Sequence, residues 1–567
     1  MTHIQESPAW WQGVIYQIYP RSFADSNGDG VGDLNGIRSK LDYLAGLGVD
    51  ALWLSPVYPS PDADFGYDVS DFCAVDPRYG SLADFDALLA EAHTRGLRVM
   101  IDLVLNHSSD QHPWFVESRS SRANPRRDWY IWADPTPRGG PPNNWPSCFG
   151  GSAWQLDPAT GQMYLHTFFK EQPDLNWRCP AVRAALLDVF RFWLERGVDG
   201  FRLDAFSAYF KHPELRDNPT HPGIPGVVYT TQSQVNNCNL PDMLPLLREI
   251  RALVDSYSSL GRERYLVGEP FFSDARAAAG YCGPDLLHAT FDFEPLLSPW
   301  SARRLTAAIQ RWQHLLGDQT WPNFVFNNHD NPRTATRWRR HLLSLTLFGS
   351  ANLNLFPVGP AGDDARLKQA AALLLTLRGT AFLYYGEEIG MRDIPVRSKA
   401  EARDPLARAY WPFSKGRDGC RAPMQWDASP NAGFTTHPAP WLPVNADYPT
   451  RSAAAQSADP ASLLNFYRRL TALRRASPAL AAGMFQPVTF GTRHIVAYLR
   501  QTQEQVMLVA FNFGARPRRL VLGSHLARTG WRVRLGTHRA EGEIITPAQS
   551  GPISLAGREA LILEMEK

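Results

Sequence analysis

The chain has 567 residues, 44% of them hydrophobic and 20% charged, so it can bury a large core and form more than one domain. A formal net charge of +2 gives no case for a nucleic-acid partner, and no apolar run reaches the ~18 residues of a membrane span. The opening "MTHIQESPAWWQGVIYQIYP" lacks a basic stretch, an apolar stretch and a cleavage site in succession. No signal peptide is therefore expected, and the chain reads as cytoplasmic. Six cysteines (Cys73, Cys148, Cys179, Cys238, Cys282 and Cys420) lack metal-ligand spacing and are expected as free thiols.

The first strand is expected in "GVIYQIYP". It runs into "DSNGDGVGD" (25–33), which looks like the opening half of a calcium loop, with Asp25, Asn27, Asp29 and Asp33 at alternate positions and Gly30 at the turn. A full EF-hand is not expected: loop position 12 holds Gly36 where a bidentate Glu is needed, and a strand rather than a helix enters the loop. Downstream, short apolar runs alternate with stretches of helical period. "GIRSKLDYLAGLG", "ALWLSP", "DFDALLAEAHTRG" and "RVMIDLVLNH" come first. The gap from about Ser108 to Gln172, rich in Pro, Gly, Trp and Asn, is too long for a structureless loop and predicts a small inserted domain. The alternation resumes with "PAVRAALLDVFRFWLERG", "GFRLDAF", "LPDMLPLLREIRALVDSY", "YLVGEPF", "LHATFDF", "SARRLTAAIQRWQHLLG", "NFVFNNHD", "ARLKQAAALLLTLRG", "TAFLYYGEE" and "PASLLNFYRRLTALRRASPAL". Eight strand–helix units predict an α/β fold, a (β/α)8 barrel. A second long insertion, about 387–459, follows strand eight. From about Ala481 short strands such as "HIVAYLR", "VMLVAFNF" and "ALILEME" predict an antiparallel β-domain. The expected organisation is therefore barrel 1–107, inserted domain 108–172, barrel 173–480 and β-domain 481–567.

In such a barrel the chemistry sits at the C-terminal ends of the strands. Those ends carry Asn106-His107, Arg202-Leu203-Asp204, Glu269 and Asn328-His329-Asp330. Three converging carboxylates repel one another, a cost that a purely structural role does not repay. Converging carboxylates suit glycosidic-bond cleavage, in which one acid protonates the leaving oxygen and another faces the anomeric carbon. Arg202 lies two residues before Asp204, hence on the same face of a strand, where it can keep Asp204 ionised and oriented.

"DLVLNH" (102–107), "GFRLDAF" (200–206), "VGEP" (267–270) and "FNNHD" (326–330) resemble the four signature regions of the α-amylase family of glycoside hydrolases. "QPDLN" (172–176) is similar to the further signature of its oligo-1,6-glucosidase and α-glucosidase branch. The resemblance implies Asp204 as nucleophile, Glu269 as general acid/base and Asp330 as the third carboxylate, with His107 and His329 bonding the sugar in the cleaved subsite. "DFGYDVSDF" (64–72) resembles the "DNGYD" stretch of α-glucosidases, which implies Asp64 and Tyr67 in the same subsite, with Phe65 in place of the usual Asn. "RAPMQW" (421–426) resembles "RTPMQW", and implies an Asp64–Arg421 ion pair closing the pocket behind a non-reducing glucose. In similar enzymes the loop after strand one binds one divalent cation, which implies ligation by Asp25, Asn27, Asp29, the Val31 carbonyl and Asp33. All-oxygen ligation favours a structural Ca²⁺, with Mg²⁺ the alternative. Ala205, next to the nucleophile, implies α-1,4 preference, since Val at that place goes with α-1,6.

The expected activity is thus a retaining exo-α-glucosidase on short oligosaccharides or α-glucosides, with transglucosylation open and no nucleic-acid or membrane partner. A monomer or small homo-oligomer is expected. The alternatives on the same scaffold are an oligo-1,6-glucosidase, a sucrose isomerase, and a trehalose synthase or glucosyltransferase. After "NHDNPR" the chain reads "TATRW" and not the "RLDRD" typical of sucrose isomerases. A non-enzymatic binding barrel, as in amino-acid transporter heavy chains, has no reason to keep three acids.

Overall fold

The computed structural model describes residues 9–223, 231–318, 320–338, 345–347, 351–353, 364–489, 493–547 and 551–566. Eight parallel strands form the barrel: β1 (Val14–Ile18), β2 (Ala51–Leu54), β3 (Arg98–Leu103), β4 (Gly200–Leu203), β5 (Tyr265–Gly268), β6 (Ala289–Thr290), β7 (Asn323–Val325) and β8 (Thr380–Tyr384). Hydrogen-bonded order runs β7-β8-β1-β2-β3-β4-β5-β6, a nearly closed ring. The strands are near-continuous apolar runs because both faces are covered.

Alternation along each strand sorts the two faces. Ile15, Trp53, Met100, Tyr265, Val267, Val325 and Phe382 pack together inside the barrel. Tyr16, Ile18, Leu52, Leu54, Val99, Ile101 and Leu103 join the larger core beneath the helices. Moving two residues at a time toward the C-terminal mouth, the inner face turns polar. Ile15 is followed by Gln17, Trp53 by Ser55, Met100 by Asp102, Gly200 by Arg202 and Asp204, and Val267 by Glu269. Packing fills the floor, and the next layer up is free for chemistry.

The covering helices show why their segments are helical. Leu82–Thr94 starts with a capping box between Ser81 and Asp84. Pro180–Glu195 has Pro at its first position and buries Val182, Leu186, Phe190 and Trp193 on one face. The stretch expected as one helix after β1 is two, Leu34–Arg38 and Leu41–Leu47, with Asp33 capping the first. Between β3 and β4 lies a three-stranded sheet of Trp132–Ala133, Met163–Leu165 and Trp154–Leu156, packed on its own core around Trp145 and Trp154. After the barrel comes a six-stranded antiparallel sheet, from Met484–Thr489 to Ala560–Met565 in sequence, with a separate core around Trp531 and Leu563. All six cysteines are free. No helix of the described residues is long and apolar enough to cross a membrane.

Candidate active site

The strand ladder continues one residue past β4 and β5. Asp204 N donates to Leu103 O (3.0 Å) and Glu269 N to Leu203 O (2.9 Å), so both side chains project at the mouth from a fixed backbone. Below them Arg202 is 1% exposed. Its Nη1 donates to Asp102 Oδ1 (2.7 Å) and to Asp204 Oδ1 (2.6 Å), and its Nη2 lies 2.5 Å from Glu269 Oε2. One guanidinium thus carries three carboxylates. Burial pushes Asp204 and Glu269 upward; Arg202 opposes this, while Asp102 adds to the shift of Asp204, and Asp204 to that of Glu269. Asp102 is itself pushed up to about 6, again by burial against Arg202. Its other oxygen accepts from Trp53 Nε1 (3.2 Å) and Tyr67 OH (3.3 Å).

Asp330 behaves oppositely. Burial would raise it, but His329, Arg421 and Arg417 outweigh burial and hold it below its ordinary value. His329 is lowered by burial to about 3, so near neutral pH the two guanidiniums supply the charge. His329 Nε2 lies 2.6 Å from Tyr67 OH and Nδ1 lies 2.9 Å from Gln17 Nε2, and its ring stacks on Tyr67 with centroids 5.2 Å apart. His107, lowered by burial to about 4, meets Tyr67 O (2.9 Å) and Gln172 Nε2 (3.0 Å). Tyr67 is therefore clamped between two neutral histidines.

The expected Asp64–Arg421 ion pair is not the one formed. Arg417 takes Asp64 (Nη2–Oδ1 2.6 Å) and also Asp404 (Nε–Oδ2 2.9 Å), while Arg421 takes Asp330 (2.9 Å) and the His329 carbonyl (2.8 Å). The reason is local. Asp404, fully buried and held down to about 2 by Arg417 against its own burial, fixes the Arg417 guanidinium beside Asp64. Arg421, four residues on, is turned by Tyr19 and the His329 carbonyl toward Asp330.

Asp64, Tyr67, His107, Asp204, Ala205, Glu269, His329 and Asp330 all line one pocket, joined by Arg417 and five phenylalanines (Phe149, Phe168, Phe271, Phe272 and Phe293). Arg202 sits beneath it and Arg421 behind Asp330. Sequence reasoning missed Arg417 and gave no role to Asp102 or Gln172. Asp102 carried a signal in its alternation with Met100, whereas Arg417 in "KGRDGC" carried none. Ala205 is left-handed (φ 40°, ψ 32°), which turns the chain immediately after Asp204. Phe65, also left-handed (φ 48°), lies against Trp441 (5.7 Å) with the Arg21 guanidinium 5.2 Å from its ring.

The Asp25–Asp33 loop lies outside this pocket. Asp25 Oδ1 accepts from Asn27 N and Gly28 N, and its Oδ2 from Gly30 N; Asp29 Oδ1 accepts from Val31 N. Asp33 is the helix cap, with both oxygens also used by Ser26. Among the described residues no three His, Cys, Asp or Glu side chains gather as a metal site. The donors are nevertheless all oxygen, and Asn27 Nδ2 donates to Asp29 Oδ2 (3.2 Å), which keeps two of the expected ligands side by side.

Residues 17–483 match the α-amylase catalytic domain. The chain belongs to the α-amylase family. This α-amylase-family chain is 46% identical over 518 residues to a probable alpha-glucosidase of Rhizobium meliloti (strain 1021), covering 89% of each. It is 38% identical to an oligo-1,6-glucosidase of Heyndrickxia coagulans, covering 94% of this chain and 96% of the relative. Among solved structures, an alpha-glucosyl transfer enzyme, XgtA, superposes with a TM-score of 0.87 at 41% identity over 99% of this chain and 100% of that one. The trehalulose synthase MutB of Pseudomonas mesoacidophila MX-45 gives 0.84 at 34% identity over the same shares. The α-amylase-family chain is thus a family 13 glycoside hydrolase with α-glucosidase and oligo-1,6-glucosidase relatives.

Proposed function

We propose that this chain is a retaining, exo-acting α-glucosidase that removes terminal glucose from short α-linked oligosaccharides or α-glucosides. The observation that carries the reading is the grip of one Arg202 guanidinium on both Asp204 and Glu269. Two carboxyls bonded to the two ends of one guanidinium sit close together, as a retaining enzyme needs (about 5–5.5 Å, against ~6.5–9.5 Å for inversion). Asp204 would attack the anomeric carbon. Glu269, raised by burial, would protonate the leaving oxygen and then take a proton from water. Asp330, held ionised by Arg421 and Arg417, would bind sugar hydroxyls. The buried Asp64–Arg417 pair closes the far end of the pocket, which favours chain ends over chain interiors.

Proton NMR of early turnover tests the mechanism. α-Glucose should appear first, and β-glucose appearing first would sink it. Asp204→Asn should nearly abolish turnover with the fold intact, because an amide forms no stable glycosyl ester. Ala205 supports α-1,4 over α-1,6 preference, by the room its methyl leaves for an acceptor. The relatives named as transfer enzyme and trehalulose synthase favour a second reading, in which a sugar replaces water as acceptor. Product analysis of maltose, isomaltose and sucrose at high concentration separates the two. A structural divalent cation at Asp25, Asn27, Asp29, the Val31 carbonyl and Asp33 is a separate proposal, resting on their oxygen chemistry. The free thiols suit a reducing, cytoplasmic setting.

A further inference from the structure

Lys211 follows the nucleophile in the loop beyond β4 and is 4% exposed. A buried ammonium needs acceptors, and this one has three. Its Nζ lies 2.9 Å from Asp174 Oδ2, donates to Asn106 Oδ1 (3.3 Å) and donates to the Ala208 carbonyl. Asp174 belongs to the segment 173–175 that returns from the inserted domain and pairs with His107, Asn106 stands just past β3, and Ala208 is in the turn after Asp204. An ammonium can only donate, so it holds the Asn106 amide with its oxygen toward Lys211. The amide NH2 then faces His107, with Nδ2 3.3 Å from Nδ1. A donor at that place requires a lone pair on Nδ1. On the other side of the ring, Nε2 lies 2.9 Å from Tyr67 O, which can only accept. Both sides demand the same tautomer, with the proton on Nε2. Gln172 Nε2 is 3.0 Å from His107 Nε2, but it also reaches Asp64 Oδ2 and Tyr67 O (both 3.3 Å), so its two hydrogens have acceptors without a lone pair on the ring.

We propose that Lys211 is a positioning residue: through the Asn106 amide it keeps His107 uncharged, with its one proton on Nε2. The kinetic part of this inference rests on the glucosidase reading above. With Lys211 in place, a second proton on Nδ1 would point at the Asn106 NH2 and set a cation near the ammonium. Without Lys211 the amide can turn its oxygen to Nδ1, and both nitrogens of an imidazolium then have acceptors. Burial is the main force against charge on His107; Asp174 and the Tyr67 carbonyl favour charge, and Lys211 opposes it. Of the other neighbours, Asp64 is bonded to Gln172, and the Phe168 ring, with its centroid 5.0 Å from that of His107, carries no charge. The state of His107 matters because it lines the same pocket as Asp204 and Glu269. Cleavage develops positive charge at the anomeric carbon, and an imidazolium in that pocket would repel it. Lys211 does not line the pocket, so its effect on rate runs through His107.

Lys211→Met keeps the apolar stem and removes the charge, but it strands Asp174. Lys211→Met/Asp174→Asn removes both charges and carries the test if the single variant fails to fold. Histidine labelled with ¹⁵N reports the protonation of each ring nitrogen, and the His107 signals are those missing from His107→Asn. In the wild type His107 is expected to stay uncharged, with its proton on Nε2, from about pH 8 to about pH 5. In the double variant it should take up a second proton over that range. The acid limb of kcat/KM on a nitrophenyl α-glucoside should then move up by about one pH unit, the equivalent of a tenfold loss on that limb. A wild-type proton on Nδ1, a wild-type His107 that charges over the range, or a double variant with native ring signals or a native acid limb overturns the proposal. A wild type without turnover on that glucoside overturns the glucosidase reading alone, because the ring signals still decide the state of His107.

Discussion

Arg417 is the side chain whose removal should be felt most widely. It is 4% exposed and bonds Asp64, 3% exposed, and Asp404, which is fully buried. Arg417→Ala would strand two carboxylates in the interior. Breaking a buried pair in this way costs about 3–5 kcal/mol, because the surviving charge keeps its desolvation penalty. The pH dependence identifies the cause. In the wild type Asp404 is depressed to about 2 from an ordinary 3.8, a stabilisation of about 2 kcal/mol that is present above pH 4 and lost as pH falls through 2. In Arg417→Ala only Arg421 and the backbone N–H groups of residues 406 and 417 still oppose burial of Asp404; its folded pKa should rise above the unfolded value, and stability should fall as pH rises. The gap between the two proteins should therefore already be about 2 kcal/mol near pH 4 and widen to its full size by pH 7. Urea unfolding at pH 4, 5.5 and 7, followed by tryptophan fluorescence, measures it. Arg417→Lys, a point charge that cannot bridge both acids, should fall between. A pH-independent loss, or one below about 1 kcal/mol at pH 7, would refute the reasoning.

Glu269→Gln should slow substrates with poor leaving groups by orders of magnitude more than α-glucosyl fluoride, whose leaving group needs no protonation; equal losses would remove Glu269 as the acid. For linkage, kcat/KM on maltose should exceed that on isomaltose by about ten- to a hundredfold, and Ala205→Val should narrow the ratio. Val at φ 40° is strained, so the ratio and not the rate is the readout, and a wild type favouring isomaltose contradicts the assignment. Glu387 is raised by burial to about 7, so its contribution is present below its ordinary 4.5 and lost as pH rises through 7. Glu387→Gln should gain about 3 kcal/mol on the wild type between pH 4 and pH 8, a difference that would stay flat if the carboxyl were not buried uncharged. Adding Ca²⁺ to chelator-treated protein should raise the melting temperature while leaving the initial rate per folded molecule nearly unchanged; an unmoved melting temperature argues against the loop as a cation site.

Much of the site was legible because strand ends are punctuated. Asn106-His107, Arg202–Asp204, Glu269 and His329-Asp330 each close an apolar run, and a barrel sends all such ends to one mouth. The Arg202–Asp204 contact followed from two-residue spacing alone. Asp102 needed more: its bond to Arg202 depends on the β3–β4 register, which pairs those two residues and which no single strand encodes. Arg417 and Arg421 lie in a stretch without periodicity, 353 and 91 residues along the chain from the carboxylates they meet. Which arginine takes which acid is decided by Asp404 and Tyr19, and resemblance to a motif could not supply that. The helix after β1 breaks at Ser39-Lys40 although its apolar spacing continues, since packing on the strands decides where the turn tightens.

The three-way grip of Arg202 has a kinetic corollary. On the mechanism proposed above, Asp204 would become neutral on esterification just as Glu269 becomes a carboxylate, so the guanidinium would serve two anions before and after. Repulsion on Glu269 drops at the moment it has surrendered its proton, so it remains a carboxylate, poised to accept the next one. When the ester is cleaved the negative charge on Asp204 returns and drives Glu269 to keep the proton just received. The first half-reaction would thereby arm the second, and the second restore the first. On that mechanism a single arginine at the floor of the mouth would make the cycle self-resetting.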